Sequence, residues 1–280
     1  MIEAARELWG ARELVFTLVK RDLKIRYKST ALGFLWSFGR PLAIMAILWA
    51  VFSQFVGIET AHADLPYPLQ LLSSLLPWMF LTGAVFEANG SILANGNIVK
   101  KIAVPSIVFP TAAVLGNLVH LFLALGVLAV FVLFSSIPFG WEVLLLPFLI
   151  AVQTLMLLGI AYLVAALNVF YRDVGSVTEI VVTMWFYLTP IIYPLQLARN
   201  KLRDDGHEVL YYLYLLNPMT PIVCAYRRLW FGSLLRHGGR ELDDKTLLLA
   251  VASSTVFAVL VFLAGQAVFR RLSDRFADEL

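Results

Sequence analysis

The sequence is poor in the residue types from which soluble domains and metal sites are usually built. Charged residues make up 15% of the 280 residues, whereas a typical soluble domain has about 25%. The single cysteine, Cys224, excludes an internal disulfide framework and CxxC-type metal chemistry. The four histidines, at positions 62, 120, 207 and 237, are scattered without HExxH spacing. These absences argue against a soluble domain and against a zinc enzyme.

Signatures of catalysis and of nucleotide binding are also missing. No GxxxxGK[ST] phosphate loop is present, so the chain is not expected to bind ATP through that motif. The adjacent pairs Asp204-Asp205 and Asp243-Asp244 lie in a hydrophilic segment, where solvated carboxylates are a simpler interpretation than a catalytic pair. We therefore predict a non-enzymatic chain with no cofactor and no metal of its own.

Long apolar stretches, by contrast, are abundant. Hydrophobic residues make up 60% of the chain, and the mean hydropathy is +0.80. About 20 consecutive apolar residues cross the hydrocarbon core as a helix. Six stretches satisfy or nearly satisfy this criterion: 34–56, 69–86, 106–134, 143–170, 180–198 and 246–269. The sequence predicts an all-α integral membrane protein with six transmembrane helices, kinked at Pro77, Pro110, Pro147 and Pro190.

The distribution of basic residues predicts the orientation. Fourteen Lys and Arg flank the spans on one side: Arg6, Arg12, Lys20, Arg21, Lys24, Arg26, Lys28, Arg40, Lys100, Lys101, Arg172, Arg270, Arg271 and Arg275. The opposite loops 57–68 and 135–142 contain none. Because cytoplasmic loops carry the excess of positive charge, both termini are expected in the cytoplasm. The eight Lys and Arg in 199–245 fall on the outer side, but charge in longer loops contributes less.

The outer segment 199–245 contains two short apolar and aromatic stretches, 209–216 and 221–235. Asn217-Pro218 and Thr220-Pro221 separate them, and neither stretch is long enough to span. We predict short re-entrant helices before the last span that dip into the outer leaflet, because irregular backbone at membrane depth must be buried in protein or line a wet cavity. An ordinary amphipathic surface hairpin is the alternative.

Two segments on the cytoplasmic side are predicted to be helical without spanning. In the N-terminal arm, Leu8, Ala11, Val15, Leu18 and Val19 share one helix face, and most basic residues lie opposite. Such a helix lies among lipid headgroups, and a protein partner beneath it is the second interpretation. In the loop 87–105, a short helix over 91–102 indicates a contact element or a plain connector. Arg172-Asp173 in the next loop is interpreted as an interfacial ion pair.

Several motifs, in order along nearly the whole chain, carry a resemblance. They are RDLKIRYKSTALGFLWSFGRP (21–41), LLPWMF (75–80), NIVKKIAVPS (97–106), FYRDV (170–174), YLTPIIYP (187–194), LNPMTPI (216–222) and FADEL (276–280). Together they resemble the permease subunits of polysaccharide-exporting ABC transporters, which move O-antigen, teichoic acid, capsule and related glycans. Nothing in these residues indicates which polysaccharide is moved.

The resemblance implies a homodimer of permeases in the bacterial inner membrane, with two separate ATP-binding subunits that hold ATP and Mg. It implies an N-terminal interface helix (1–33), a six-span permease domain (34–280), a coupling loop (87–105) and a periplasmic segment (199–245). Membrane lipids and a lipid-linked polysaccharide are expected as partners, and a nucleic acid is not. The residues expected to couple to the ATPase are Asn95, Asn97, Lys100, Lys101, Arg172 and Asp173.

A glycan path needs walls on which sugar rings can stack and exchange hydrogen bonds. Aromatic side chains share a face of the first span, and Phe186 and Tyr193 are seven residues apart in the fifth. The hypothetical path residues are Phe34, Phe38, Trp49, Phe52, Phe186, Tyr193, Tyr211 and Tyr212. Packing or an interfacial aromatic belt is the alternative role for such stripes.

Two other functions are weighed against export. A membrane-bound enzyme of lipid-linked sugar metabolism needs convergent carboxylates or a metal cluster, and neither is evident. An ion-coupled secondary transporter usually has repeated halves and charges at mid-membrane. No repeat is evident. Arg40 lies near the beginning of its span, where its side chain reaches the headgroups, and His120 is interpreted as a packed, hydrogen-bonded group.

Overall fold

The computed structural model describes residues 9–28, 36–57, 65–101, 104–135, 137–138, 140–204, 208–235 and 241–280. Within these ranges the chain is helical and contains no β-strand. Five helical segments are long and apolar enough to cross a membrane: Phe38–Phe55, Tyr67–Ala94, Val108–Phe134, Trp141–Phe170 and Asp244–Ser273. The prediction of an all-α integral membrane protein is confirmed.

The helices are numbered in chain order. They are α1 (Arg12–Lys28), α2 (Trp36–Trp49, continued by a π-helical segment Ala50–Phe55), α3 (Tyr67–Ala94), α4 (Gly96–Lys101), α5 (Val108–Phe134), α6 (Leu146–Phe170, preceded by a 3-10 turn Trp141–Leu145), α7 (Val174–Tyr187), α8 (Leu195–Asp204), α9 (Glu208–Leu216), α10 (Met219–Leu235), α11 (Asp244–Ser273) and α12 (Phe276–Glu279).

Helix α3 forms the centre of the bundle. It packs against α2, α5, α6, α7 and α10, and about four fifths of its spanning residues (78%) are buried. Buried polar atoms tie three of these helices together: Gln153 Nε2 donates to the Pro77 carbonyl over 2.7 Å, and Tyr226 Oη donates to Gln153 Oε1 over 3.1 Å. A polar group in lipid needs such internal partners, so this link fixes α6 and α10 against α3.

Helices α6 and α11 approach each other at two glycines. A Cβ atom on Gly265 would lie 2.1 Å from the carbonyl oxygen of Gly159, and a Cβ atom on Gly159 would lie 2.5 Å from the Phe262 amide nitrogen. Small residues allow membrane helices to pack backbone against backbone. The close contact is therefore possible only because both positions lack a side chain.

The fifth predicted span, 180–198, was wrong in its bounds. Helix α7 begins at Val174 and ends at Tyr187, and the backbone is not helical again until Leu195. The residue before a proline is driven out of the helical region, and Thr189-Pro190 and Tyr193-Pro194 impose this twice. Apolar composition concealed the break, since Thr189, Pro190, Ile191 and Ile192 are all buried in protein.

The prolines behave differently from the predicted kinks. Pro77 lies inside α3, whereas Pro110 and Pro147 lie in the first turns of α5 and α6. A first-turn proline loses no helical hydrogen bond, so no kink is needed there. Pro190 lies in the non-helical break after α7 rather than within a span.

The predicted pair of short helices before the last span is confirmed, and their location on the outer side stays a prediction. Helices α9 and α10 meet at a bend of 77°. Asn217 holds the corner: its Oδ1 accepts a hydrogen bond from Trp185 Nε1 over 2.6 Å, and its Nδ2 donates to the Leu188 carbonyl over 2.9 Å. After this pair, Asp243 caps α11, and hydrogen bonds from the Thr246 side chain and backbone lower the pKa of the Asp243 carboxyl.

Candidate functional site

One end of the bundle, which we call the α4 end, gathers the elements predicted to contact an ATPase. Asn95 ends α3, and its Oδ1 accepts a hydrogen bond from Arg21 NH1 of α1 over 3.0 Å. Its Nδ2 donates to the Ser91 carbonyl over 2.8 Å. The side chain of Asn95 therefore joins α1 to the junction between α3 and α4.

The other predicted coupling residues lie at the same end. Asn97 and Lys100 are exposed on α4, whereas the Lys101 side chain lies outside the described residues. Arg172 and Asp173 are exposed in the turn between α6 and α7. That turn is near the junction, because Asn168 Nδ2 donates to the Asn89 carbonyl over 2.8 Å. The expected helix over 91–102 was wrong, since residues 91–94 complete α3 and α4 begins only at Gly96.

The apolar face of α1 packs against protein. Val15, Leu18 and Val19 are buried together with Val108, Phe109 and Ala112 of α5. The predicted face is thus confirmed over these residues, and Leu8 lies outside the described residues. These three side chains form a core with α5, whereas the location of α1 in the headgroup layer, with its basic face toward anionic lipid, stays a prediction.

The C-terminal segment supports α4 from the opposite side. Phe276 of α12 is buried, and its ring centroid lies 5.4 Å from that of Phe269 and 6.0 Å from that of Phe170. Leu280 Cδ2 lies 3.6 Å from the place a Cβ atom would occupy on Gly96. Helix α4 is therefore linked to α1 through Asn95 and contacts the C-terminal helix α12 directly.

The predicted path aromatics have different environments. Trp49 and Tyr212 are exposed, Phe38 and Phe52 are half-buried, and Phe34 lies outside the described residues. Phe186 packs on Trp78 with ring centroids 5.6 Å apart. The hydroxyls of Tyr193 and Tyr214 are 2.8 Å apart, and Tyr211 is buried. The described side chains of this set do not share one environment, and the aromatic path stays a prediction.

A cavity between α2, α3 and α5, whose largely apolar walls carry several polar side chains, was not predicted. Its volume is about 960 Å³, and it is lined by one face of α3, at positions 79, 82, 83, 86 and 87, and one face of α5, at positions 117, 120, 121 and 124. The polar side chains on its walls are those of Arg40, Thr82, Glu87, Asn117 and His120. Helix spacing of i, i+3, i+4 and i+7 brings each set onto a continuous face.

Asn117 is the best-defined polar group of the cavity. Its Nδ2 donates to Glu87 Oε2 over 2.5 Å and to the Ala113 carbonyl over 2.8 Å. A Cβ atom on Gly83 would lie 2.4 Å from Asn117 Oδ1, so a side chain at position 83 would displace the amide. Glycine at this position therefore provides the space that the Asn117 side chain occupies.

Sequence reasoning missed Glu87 because the second predicted span ends at residue 86. Helix α3 includes Glu87, so an ionisable residue lies inside this span. A signal was present: Ala84, Val85, Ala88 and Ile92 are buried, and their spacing continues the helical pattern past Phe86. Arg40 and His120 stand out singly in the sequence, and only the fold brings them to the same cavity as Glu87.

At the opposite end, which we call the α9 end, a buried ion pair holds the break after α7. Arg227 of α10 is 2% exposed and donates to Glu241 Oε1 and to the Pro190 carbonyl. The Leu195 amide also donates to Glu241 Oε1, over 3.1 Å. Exposed Asp244 accepts from Arg228. Two of the basic residues that weakened the predicted orientation are therefore paired within the protein.

Comparison with known proteins decides the family. The model of the ABC-2 type transporter family matches residues 13–231. The chain belongs to the ABC-2 type transporter membrane family. This membership favours a non-enzymatic membrane subunit over the sugar-metabolising enzyme and the ion-coupled transporter. Within the described residues, no group of three or more His, Cys, Asp or Glu is placed to hold a metal.

The chain is also similar to curated relatives along most or all of its length. It is 28% identical to O-antigen export system permease protein RfbA from Myxococcus xanthus over 281 residues, which covers 100% of both chains. A protein of the same name from Klebsiella pneumoniae is 25% identical, with 96% of this chain and 95% of the relative covered. Polysialic acid transport protein KpsM from Escherichia coli is 22% identical, with 75% and 78% covered. The resemblance to polysaccharide-exporting permeases is confirmed.

Proposed function

We propose that this chain is the membrane-spanning subunit of an ATP-driven exporter that moves a lipid-linked polysaccharide out across the bacterial inner membrane. Two copies form the transport path, and two ATP-binding subunits drive it. The observation that carries this proposal is the end-to-end similarity to an O-antigen export permease, which covers all of both chains. The polysaccharide is of the O-antigen or capsule class.

The arrangement of the α4 end supports the proposed coupling. Lys100 and Asn97 are exposed on α4, where an ATPase subunit has access to them. Asn95 links the beginning of α4 to α1 through Arg21, and α12 packs against α4 from the C-terminal end of α11. We therefore expect a displacement of α4 to move α1 and α12 as well. Nucleotide changes the transport state only if it binds the two states with different affinity.

The proposed orientation places the α4 end in the cytoplasm. Exposed Lys100, Arg172, Arg271 and Arg275 lie at that end, as expected for a cytoplasmic surface. Arg227 at the α9 end is buried and paired with Glu241, so it adds little positive charge to the outer surface. We keep the aromatic path of Phe38, Trp49, Phe52, Phe186 and Tyr193 as part of the proposal, completed by the second copy.

The function is tested by isolating the chain from native membranes after mild solubilisation. We expect an ATP-binding subunit to co-purify, ATP turnover only in the joint complex, and accumulation of a polysaccharide inside cells that lack the chain. Lys100→Glu should reduce ATP turnover and polymer export, because it reverses a charge on α4. Lys245→Glu, the same change on an exposed lysine at the α9 end, is the matched control and should leave both unchanged. Normal polymer export without this chain would reject the proposal.

Orientation has its own test in a Cys224→Ala background, since Cys224 is the only cysteine and is buried. A membrane-impermeant thiol reagent applied to intact cells should label a cysteine placed at Tyr212 but not one placed at Asn97. Both positions are exposed and they lie at opposite ends of the bundle. Labelling at position 97 from outside would reverse the proposed topology.

A further inference from the structure

The cavity between α2, α3 and α5 presents charged and amide groups at membrane depth. Glu87 lies seven residues before the end of α3, which is roughly 10 Å along the helix. Asn117 lies nine residues into α5. Ionisable side chains within spans usually face a water-filled cavity and mark a substrate path. The cavity therefore belongs to the wet part of the molecule, in the half nearer the α4 end.

The hydrogen-bonding character of the walls restricts the ligand. Arg40 has only donors, and the carboxylate of Glu87 has only acceptors. The Thr82 hydroxyl donates to the Met79 carbonyl, and the Asn117 amide nitrogen donates to Glu87 and to the Ala113 carbonyl, so these two side chains offer their oxygens as acceptors. A phosphate is bound best by donors alone, and Glu87 opposes an anion. An acyl chain would pack against the apolar residues of the lining, among them Leu76, Phe80 and Leu121, but would offer no hydrogen bond to the polar groups. A set of mixed donors and acceptors matches hydroxyl groups, each of which donates and accepts.

Two aromatic side chains complete the pattern. Trp36 and Phe86 line the cavity and are 55% and 43% exposed. Their rings offer apolar faces on which the C–H face of a sugar ring packs. A volume of about 960 Å³ is at the upper end of the roughly 300–1,000 Å³ of ligand pockets. The cavity is therefore large enough for more than one sugar ring.

This cavity is separate from the aromatic stripe of the first span. At about 100° per residue, Trp36 and Arg40 project from the side of α2 opposite to Phe38 and Trp49. The stripe consists of aromatic side chains, whereas the cavity combines three aromatic rings and several aliphatic residues with five polar side chains. The two surfaces are therefore different in chemistry as well as in position.

We propose that the cavity bounded by Trp36, Arg40, Phe86, Glu87, Asn117 and His120 is a sugar-binding station, which holds hydroxyl-rich rings of the exported polysaccharide in the cytoplasmic half of the membrane. The proposal rests on the proposed export function and adds a binding site to it. Asn117, positioned by Gly83 and hydrogen-bonded to Glu87, is its central hydrogen-bonding group.

Photo-crosslinking in living cells tests the site whichever polymer is exported. The photoreactive residue p-benzoylphenylalanine replaces Phe86, and in a matched control it replaces Phe122, which is also exposed (55%) but is not part of the cavity lining. After irradiation, the purified full-length chain is probed for periodate-oxidisable sugar. We expect a sugar-positive adduct from position 86, at least tenfold more abundant than from position 122. Adducts with phospholipid alone, or equal sugar signals at both positions, would overturn the proposal.

A second measurement uses substitutions that keep the side-chain size. Glu87→Gln and Asn117→Leu should each lower polymer export about tenfold, as expected for the loss of one hydrogen bond that involves a charged group. Co-purification with the ATP-binding subunit should be unchanged. Normal export by both variants would also overturn the site. The export function itself is judged separately, by whether cells lacking the chain still export polymer.

Discussion

The two sides of α3 differ in how closely neighbouring helices pack against it. On one side, Gln153 and Tyr226 form a buried hydrogen-bonded link from α6 and α10 to α3, and the glycines of α6 and α11 touch behind it. On the other side, Pro41 is the single buried side chain among those described in 36–57, and the cavity opens there. We call these the packed side and the open side. The comparison indicates that the packed side of α3 stabilises the bundle, while the open side leaves space for a ligand.

The largest effect is expected from Glu241→Gln on the packed side. This change leaves Arg227 buried without an anionic partner, and removing one partner of a buried ion pair costs about 3–5 kcal/mol. The loss should appear as a large decrease in the unfolding midpoint of the detergent-solubilised chain. Asp244→Asn makes the same chemical change in a pair whose carboxylate is 67% exposed, and should cost less than about 1 kcal/mol. Equal losses would contradict the comparison.

A smaller effect is expected from Gly265→Ala. The new methyl group would lie 2.1 Å from the Gly159 carbonyl, and overpacking of this kind costs roughly 1–3 kcal/mol. Gly126→Ala is the control, because a Cβ atom there has no neighbour within 4 Å and alanine favours a helix more than glycine does. Thermal unfolding of the two variants should therefore shift in opposite directions. A neutral Gly265→Ala would show that α6 and α11 can separate at little cost.

The smallest effect on the protomer is expected from Ile47→Ala on the open side. Ile47 is 62% exposed, and surface substitutions usually stay within about 0.5 kcal/mol. Leu81→Ala, at a position that is 0% exposed in α3, should cost roughly 2–5 kcal/mol. If a second copy covers α2, Ile47→Ala should weaken dimerisation in crosslinking experiments while the unfolding midpoint stays unchanged. A large loss of protomer stability would mean that α2 belongs to the packed side.

Much of this architecture follows from local sequence patterns. Uninterrupted apolar length located the helices α3, α5, α6 and α11, and helical periodicity identified Val15, Leu18 and Val19 as one face of α1. These features depend on neighbours in sequence, which periodicity reports directly. The bend between α9 and α10 was also accessible, because two prolines separate short apolar stretches.

Other features depend on contacts between distant residues. The break after α7 was hidden by continuous apolar composition, since its backbone is buried rather than exposed to solvent. In the sequence Arg227 is one of several charges in the segment 199–245. Its burial is possible because Glu241, 14 residues away, supplies an anionic partner in the fold. The cavity needs Arg40, Glu87 and Asn117 from three helices, and no single stretch of sequence contains that arrangement.

The early end of α7 has a consequence for the surrounding lipid. Its 14 residues give a helix of about 21 Å, shorter than the roughly 30 Å hydrocarbon core. Hydrophobic mismatch of this sign is relieved when acyl chains compress locally or when protein fills the missing height. The buried residues 189–192 fill part of it. We expect a bilayer that is thinner beside α7 than elsewhere around the protein, which would shorten the low-dielectric distance that a hydrated polymer must cross.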